Sequence, residues 1–173
     1  MPGPVPGNPA AIRGFTELTQ WRRFVLDLQL SGRPPDAILQ AHERVLRVLY
    51  LAWFDGAVIK FAELGALACL EAAISSRYPQ KFRGLEQALK YLIPQSGVTD
   101  ANLRVVRECG GAAIANLVRH SNGGGPALSE IRNQIAHGDP FATLPYGGLF
   151  EVVRDLTDFM YPATRPGQQR PHA

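Results

Sequence analysis

Residues 51–76 read LAWFDGAVIKFAELGALACLEAAISS. Apolar side chains recur on nearly every side of a helix drawn through this stretch, the pattern of an element surrounded by others rather than lying on a surface. Ala57, Ala62, Gly65, Ala66, Ala68, Ala72 and Ala73 are small enough to let neighbouring backbones approach closely. The surrounding apolar stretch, 45–74, is interrupted by Arg47, Asp55, Lys60, Glu63 and Glu71, too many charges for a membrane span. It therefore predicts a buried central helix, whose small residues belong either to the core of one copy or to a seam between two.

Outward from this helix, the periodicity predicts about seven helices, near 16–30, 36–54, 57–77, 82–93, 100–120, 128–137 and 147–161, and almost no strand. Gly32 with Pro34-Pro35, Tyr78-Pro79, Pro94 to Gly97 and Ser121 to Pro126 punctuate them, while Gly56 reads as a break or as a kink in a helix running on from 36. The start, MPGPVPGNPAA, is too rich in proline and glycine to be expected to pack, and PATRPGQQRPHA at 162–173 reads the same way. The expected organisation is a loose segment 1–12, a single helical domain 13–161 and a loose tail 162–173.

Composition agrees with a single globular domain. The chain has 173 residues, 46% hydrophobic and 19% charged, enough for a sizeable core. Its net charge is +3 and its pI about 9.1. Fifteen of its 18 basic residues are arginine, which suits phosphate contacts and is equally expected of a GC-rich genome. Cys69 and Cys109 stand alone in apolar helical patterns and read as small buried hydrophobes, as expected in a reducing compartment. The start has no basic region followed by an apolar run, so a cytoplasmic protein is expected.

One stretch suggests chemistry: Glu130-Ile131-Arg132-Asn133-Gln134-Ile135-Ala136-His137-Gly138-Asp139-Pro140. Leu128, Ile131 and Ile135 make one apolar stripe, Gly138 stands where a left-handed residue closes a helix, and Pro140 bars continuation. His137 then lies in the last turn, where the helix dipole and unpaired carbonyls favour positive charge. Asn133 lies four residues before it on the same face, within reach of a ring nitrogen. Arg132 is about 140° away around the helix, and its long side chain can swing back toward a shared anion.

Arg132-Asn133, three residues, His137 resembles the signature of HEPN domains, in which an arginine, a polar residue and a histidine end a helix of an all-α bundle. The resemblance extends over roughly 35–162, through LAWFDGAVIKFAELGALACLEAAISS, KFRGLEQALKYLI at 81–93 and DLTDFMYP at 155–162. It implies an all-α, up-and-down HEPN-like bundle of six to seven helices that dimerises around the motif helix. It also implies metal-independent RNA cleavage, in the manner of bacterial toxins and antiphage effectors, with Arg132 and His137 catalytic. Such proteins are silenced or triggered by an antitoxin or sensor protein. Some members have lost catalysis and bind a protein or nucleotide instead, the alternative expectation for this chain.

Metal-free cleavage drives the 2′-hydroxyl onto the neighbouring phosphorus, which needs a group that exchanges protons near neutrality and a cation beside the developing charge. His137 and Arg132 are those residue types, and the products would be a 2′,3′-cyclic phosphate and a 5′-hydroxyl. No cofactor is expected. His42 and His120 have no partner at ligand spacing, so no metal is expected either. Glu63 and Glu71, eight residues apart on one face of the central helix, need partners if buried. Arg132 is one candidate, with Glu71 favoured by the family's frequent acidic residue there; a pair with Lys60 or Arg77, or simple exposure, is the other reading. Arg104, Arg107 and Arg119 on the fifth helix line either an RNA groove or a solvated face. Trp21, Trp53 and Phe54 are expected in the core rather than as a base-stacking platform.

Overall fold

The computed structural model describes residues 3–115, 127–138 and 145–163. The described elements are helical: α1 (Leu18–Asp27), α2 (Asp36–Leu51), α3 (Ile59–Arg77), α4 (Leu85–Ser96), α5 (Arg104–Cys109), α6 (Ala127–Ala136) and α7 (Leu149–Met160). No strand occurs among the described residues. The all-α architecture thus follows the periodicity of the sequence.

α3 is the hub, packing against α2, α4, α6 and α7. Its buried residues, among them Ala62, Ala66, Leu67, Leu70, Ala73 and Ile74, lie on several sides of the helix, as its even apolarity required. The small residues serve close approach: a Cβ added to Gly65 would stand 3.1 Å from Val45 Cγ2 on α2. Leu67 and Leu70 are fully enclosed, and truncating either to alanine would cost about 2–5 kcal/mol. α2 and α3 are separate helices. Asp55 accepts a hydrogen bond from the Ala57 N–H (3.0 Å) and caps a 3-10 turn at Gly56–Val58, so Gly56 marks a break rather than a kink.

α7 is buried almost throughout and ties the ends of the chain together. Arg154 and Asp155 form an enclosed ion pair (2.7 Å). Asp155 accepts the Val105 N–H at the start of α5 (2.7 Å), and Arg154 donates to the Asp27 carbonyl at the end of α1 (2.8 Å). Asp158 accepts hydrogen bonds from the backbone N–H groups of Ser31 and Gly32 and from the Ser31 hydroxyl (2.6 Å), fixing the α1–α2 connection. Every one of these charges has a partner, as burial requires.

The helix anticipated at 100–120 is broken. A 3-10 turn at Asp100–Asn102 is closed by a box in which Thr99 and Asn102 hydrogen-bond each other, and extended Leu103 (ψ 125°) separates it from α5. α5 then stops after six residues at Gly110 and Gly111, both at positive φ (82° and 92°). A consecutive glycine pair in that region ends a helix whatever apolar pattern follows. Residues 116–120, which include Arg119 and His120, lie outside the described residues.

The segment 1–12 was expected to lie loose, yet Gly3 and Pro4 are buried and Gly7 is tied to α5, while residues 6–10 and Ile12 stay exposed. Gly3 N–H donates to Ala11 (2.9 Å) and Gly7 N–H to the Glu108 carbonyl (3.3 Å). Pro9 stands against Gly111 and Pro4 against Gly148, so the prolines supply apolar rings rather than merely stiffening a free chain. Together with Val105, Val106 and Val152 they enclose a cavity of about 290 Å³. The tail from 164 onward lies outside the described residues.

Cys69 and Cys109 are buried thiols, as anticipated, and burial pushes Cys69 up to about 11. Trp21 is a core residue, its indole N–H shared between the carbonyls of Leu49 and Tyr50 (3.2 Å each). Trp53 is half-buried, and Phe54, expected in the core, is 72% exposed because it sits in the corner after α2 rather than on its inward face. Among the described residues no helix is long and apolar enough to cross a membrane.

Candidate functional site

The motif lies on α6, which packs through buried Leu128 and Ile131 onto α3 and α4. That stripe turns the polar residues of the helix outward: Asn133, Gln134 and His137 are exposed and Arg132 is half-buried. The helix ends where the sequence places its end. Gly138 has φ +70°, its N–H reaches the Ile135 carbonyl (3.1 Å), and the His137 N–H reaches the Asn133 carbonyl (2.9 Å).

Asn133 does not hold the His137 ring. Its side-chain oxygen accepts from Arg132 Nη1 at 3.2 Å, so the amide steers the guanidinium, while its link to His137 is through the backbone alone. Neighbouring residues on a helix diverge by about 100°, and the long arginine side chain folds back to span that angle. Arg132, Asn133 and His137 therefore share one end of one helix, in a different pairing from the one expected.

Of the two carboxylates of α3, neither forms an ion pair with Arg132. Glu63 is fully enclosed, and its partners are Lys60 Nζ (2.9 Å) and the backbone N–H of Tyr146 (2.6 Å). Burial pushes its carboxyl above the usual range, opposed by the Tyr146 N–H and by Lys60. Lys60 is thus the partner, one helical turn away. Glu71 is half-buried two turns further along. The other alternative cation, Arg77, donates Nε to the Met160 carbonyl (3.2 Å).

Tyr146 carried no special weight in the sequence, yet it joins α3 to the motif helix. Its hydroxyl donates to Gln134 Oε1 (2.8 Å), and Lys60 Nζ lies 4.3 Å from the centre of its ring. Only the fold brings these residues together, and no spacing rule in a single sequence would find them.

Arg104 and Arg107 lie elsewhere, on α5 against α7. Arg104 is paired with Glu108 (2.8 Å) and Asp27 (3.0 Å), which hold its proton more firmly than usual. Arg107 Nη1 donates to the carbonyls of Ala101 (3.1 Å) and Asn102 (2.9 Å). Both line a polar cleft of about 240 Å³ with Arg154, Asp155 and Asp158, where carboxylates offset the positive charge. Compared with known proteins, the chain matches no family model, no curated protein and no solved structure.

Proposed function

We propose that the chain is a metal-independent endoribonuclease of the HEPN type, acting as a homodimer that brings two copies of α6 to one cleft. The observation that carries this reading is the end of α6, where His137 stands exposed in the last turn with Arg132 held by Asn133 on the same surface. In this mechanism a histidine takes the proton from the 2′-hydroxyl as its oxygen bonds to phosphorus. The bond from phosphorus to the 5′-oxygen breaks, and that oxygen takes a proton from the second copy's histidine. Arg132 offsets the charge that builds on the phosphoryl oxygens, a role for which its planar, permanently charged fork is suited. The products are a 2′,3′-cyclic phosphate and a 5′-hydroxyl. The biological setting that fits this activity is a toxin or antiphage effector in the cytoplasm, held or triggered by an antitoxin or sensor protein. Arg107 joins the reading as an outlying RNA contact more readily than Arg104, whose charge Asp27 and Glu108 already offset.

A second reading, a silent HEPN-like module that binds a protein or nucleotide, is favoured by one observation: neither Glu63 nor Glu71 supports the Arg132 guanidinium. Purified wild type and His137→Ala incubated with a mixed RNA pool in EDTA, with end-group analysis, decide between the two. The nuclease predicts cyclic-phosphate ends that fall about 10²-fold or more in the variant, with folding intact. Equal cleavage by both, or none by either, removes the nuclease reading for the isolated protein.

A further inference from the structure

Glu63 is an expensive residue to keep where it stands. An enclosed carboxylate loses its hydration, and an apolar side chain of similar volume often serves packing as well or better. What a leucine cannot do is accept the Tyr146 N–H at 2.6 Å and hold Lys60 at 2.9 Å. Those contacts set the backbone of Tyr146 ahead of α7, and place the Lys60 ammonium 4.3 Å from the ring centre. The Tyr146 hydroxyl then meets Gln134 at 2.8 Å, on the motif helix. Gln134 and His137 are three residues apart, neighbours on one helix face.

We propose that Glu63 and Tyr146 are positioning residues for the motif, a hydrogen-bonded link from the core of α3 through Gln134 that biases the last turn of α6, and with it His137, toward one orientation. The inference rests on the reading of Arg132 and His137 as the functional site. Neither Glu63 nor Tyr146 is given a part in the chemistry. Their effect is on where the imidazole points, which a supporting contact commonly controls by about 10- to 100-fold in activity.

The test is NMR of the full chain labelled at histidine, comparing ring signals of wild type, Tyr146→Phe, Glu63→Leu and Glu63→Gln, with His137 assigned from His137→Ala. Buried His42, held on the Leu28 carbonyl, is the internal reference for an intact core. Tyr146→Phe and Glu63→Leu are expected to shift and broaden the His137 signals and leave those of His42 in place. Glu63→Gln retains an oxygen to accept the Tyr146 N–H but turns a donor toward Lys60, so its His137 signals should move less than those of Glu63→Leu. His137 signals unmoved in Tyr146→Phe overturn the proposal. That variant deletes a single oxygen, so it decides the matter even if Glu63→Leu fails to fold. RNA cleavage measured on the same samples keeps the two ideas apart. If wild type cleaves and His137→Ala does not, Tyr146→Phe should lower kcat about 10-fold with KM within about twofold, and unchanged kcat overturns the positioning role alone. If neither cleaves but Tyr146→Phe still moves His137, the nuclease reading fails and the link stands.

Discussion

Arg13 Nη1 lies 3.3 Å from Glu151 Oε1, joining the N-terminal arm to the most buried helix of the bundle. The pair is unequal. Burial pushes the Glu151 carboxyl above its usual range despite Arg13 and Arg154, and neither of its side-chain oxygens accepts a hydrogen bond. A carboxyl with a raised folded-state pKa contributes most below its unfolded value near 4.5 and loses that contribution as pH rises through the folded value. Glu151→Gln should therefore gain stability relative to wild type as pH rises above 4.5, read by urea unfolding at several pH values. A wild type that gains on the variant as pH rises would show that the Arg13 attraction outweighs desolvation.

His42 titrates in the opposite sense. Burial lowers its pKa from 6.5, and Nε2 faces the Leu28 carbonyl at 2.8 Å, which fits a neutral ring donating from that nitrogen. Its contribution is complete above pH 6.5 and is lost as pH falls through the folded-state value. His42→Leu leaves that carbonyl unpaired and should cost about 1–3 kcal/mol at pH 7.5. The difference should narrow as pH falls below 6.5, where wild type progressively loses the histidine's contribution.

Gly32 has no room for a side chain. An added Cβ would stand 1.9 Å from the Tyr161 carbonyl oxygen, which already accepts the Arg33 N–H at 2.9 Å and is not free to retreat. Gly32→Ala should destabilise by about 1–3 kcal/mol in denaturant titrations, although the residue lies in a connection remote from α6.

The two arginines of α5 should behave differently toward RNA. Arg107→Ala is expected to reduce the slope of log affinity against log salt by about 1, while Arg104→Ala should leave it nearly unchanged because Asp27 and Glu108 already offset that charge. Fluorescence anisotropy with a labelled single-stranded RNA at several salt concentrations measures both. Equal slopes for wild type and Arg107→Ala would remove α5 from any RNA-contacting surface.

Helix identity was largely legible in the chain because it rests on periodicity and punctuation. Pro35 before α2, Arg77 at the end of α3 and Gly138 after α6 sit where the pattern placed helix ends. Across 100–120 the apolar spacing of a helix is overridden by Gly110-Gly111 and by the polar box between Thr99 and Asn102, both local signals. The N-terminal prolines were misjudged for another reason. Composition describes how a segment behaves alone, whereas Pro4 and Pro9 find glycines to rest against only in the folded protein. At the candidate site the helix and its cap were readable, and so was Lys60 as one possible partner of Glu63. The pairing of Asn133 with Arg132 depended on rotamers, and the link from Glu63 to Tyr146 spans 83 positions with no local sign.

The fastening of the α1–α2 connection by Asp158 reaches back 127 positions, and Arg154 reaches as far to Asp27. During synthesis these early residues leave the ribosome long before the helix that secures them exists. The α1–α2 pair can already rest on α3, yet its connecting turn stays unclasped until residues 149–160 arrive. A chain halted before α7 would lack the buried faces of Leu149, Phe150, Val152, Val153 and Leu156, leaving the core of α3 open on that side to chaperones and proteases.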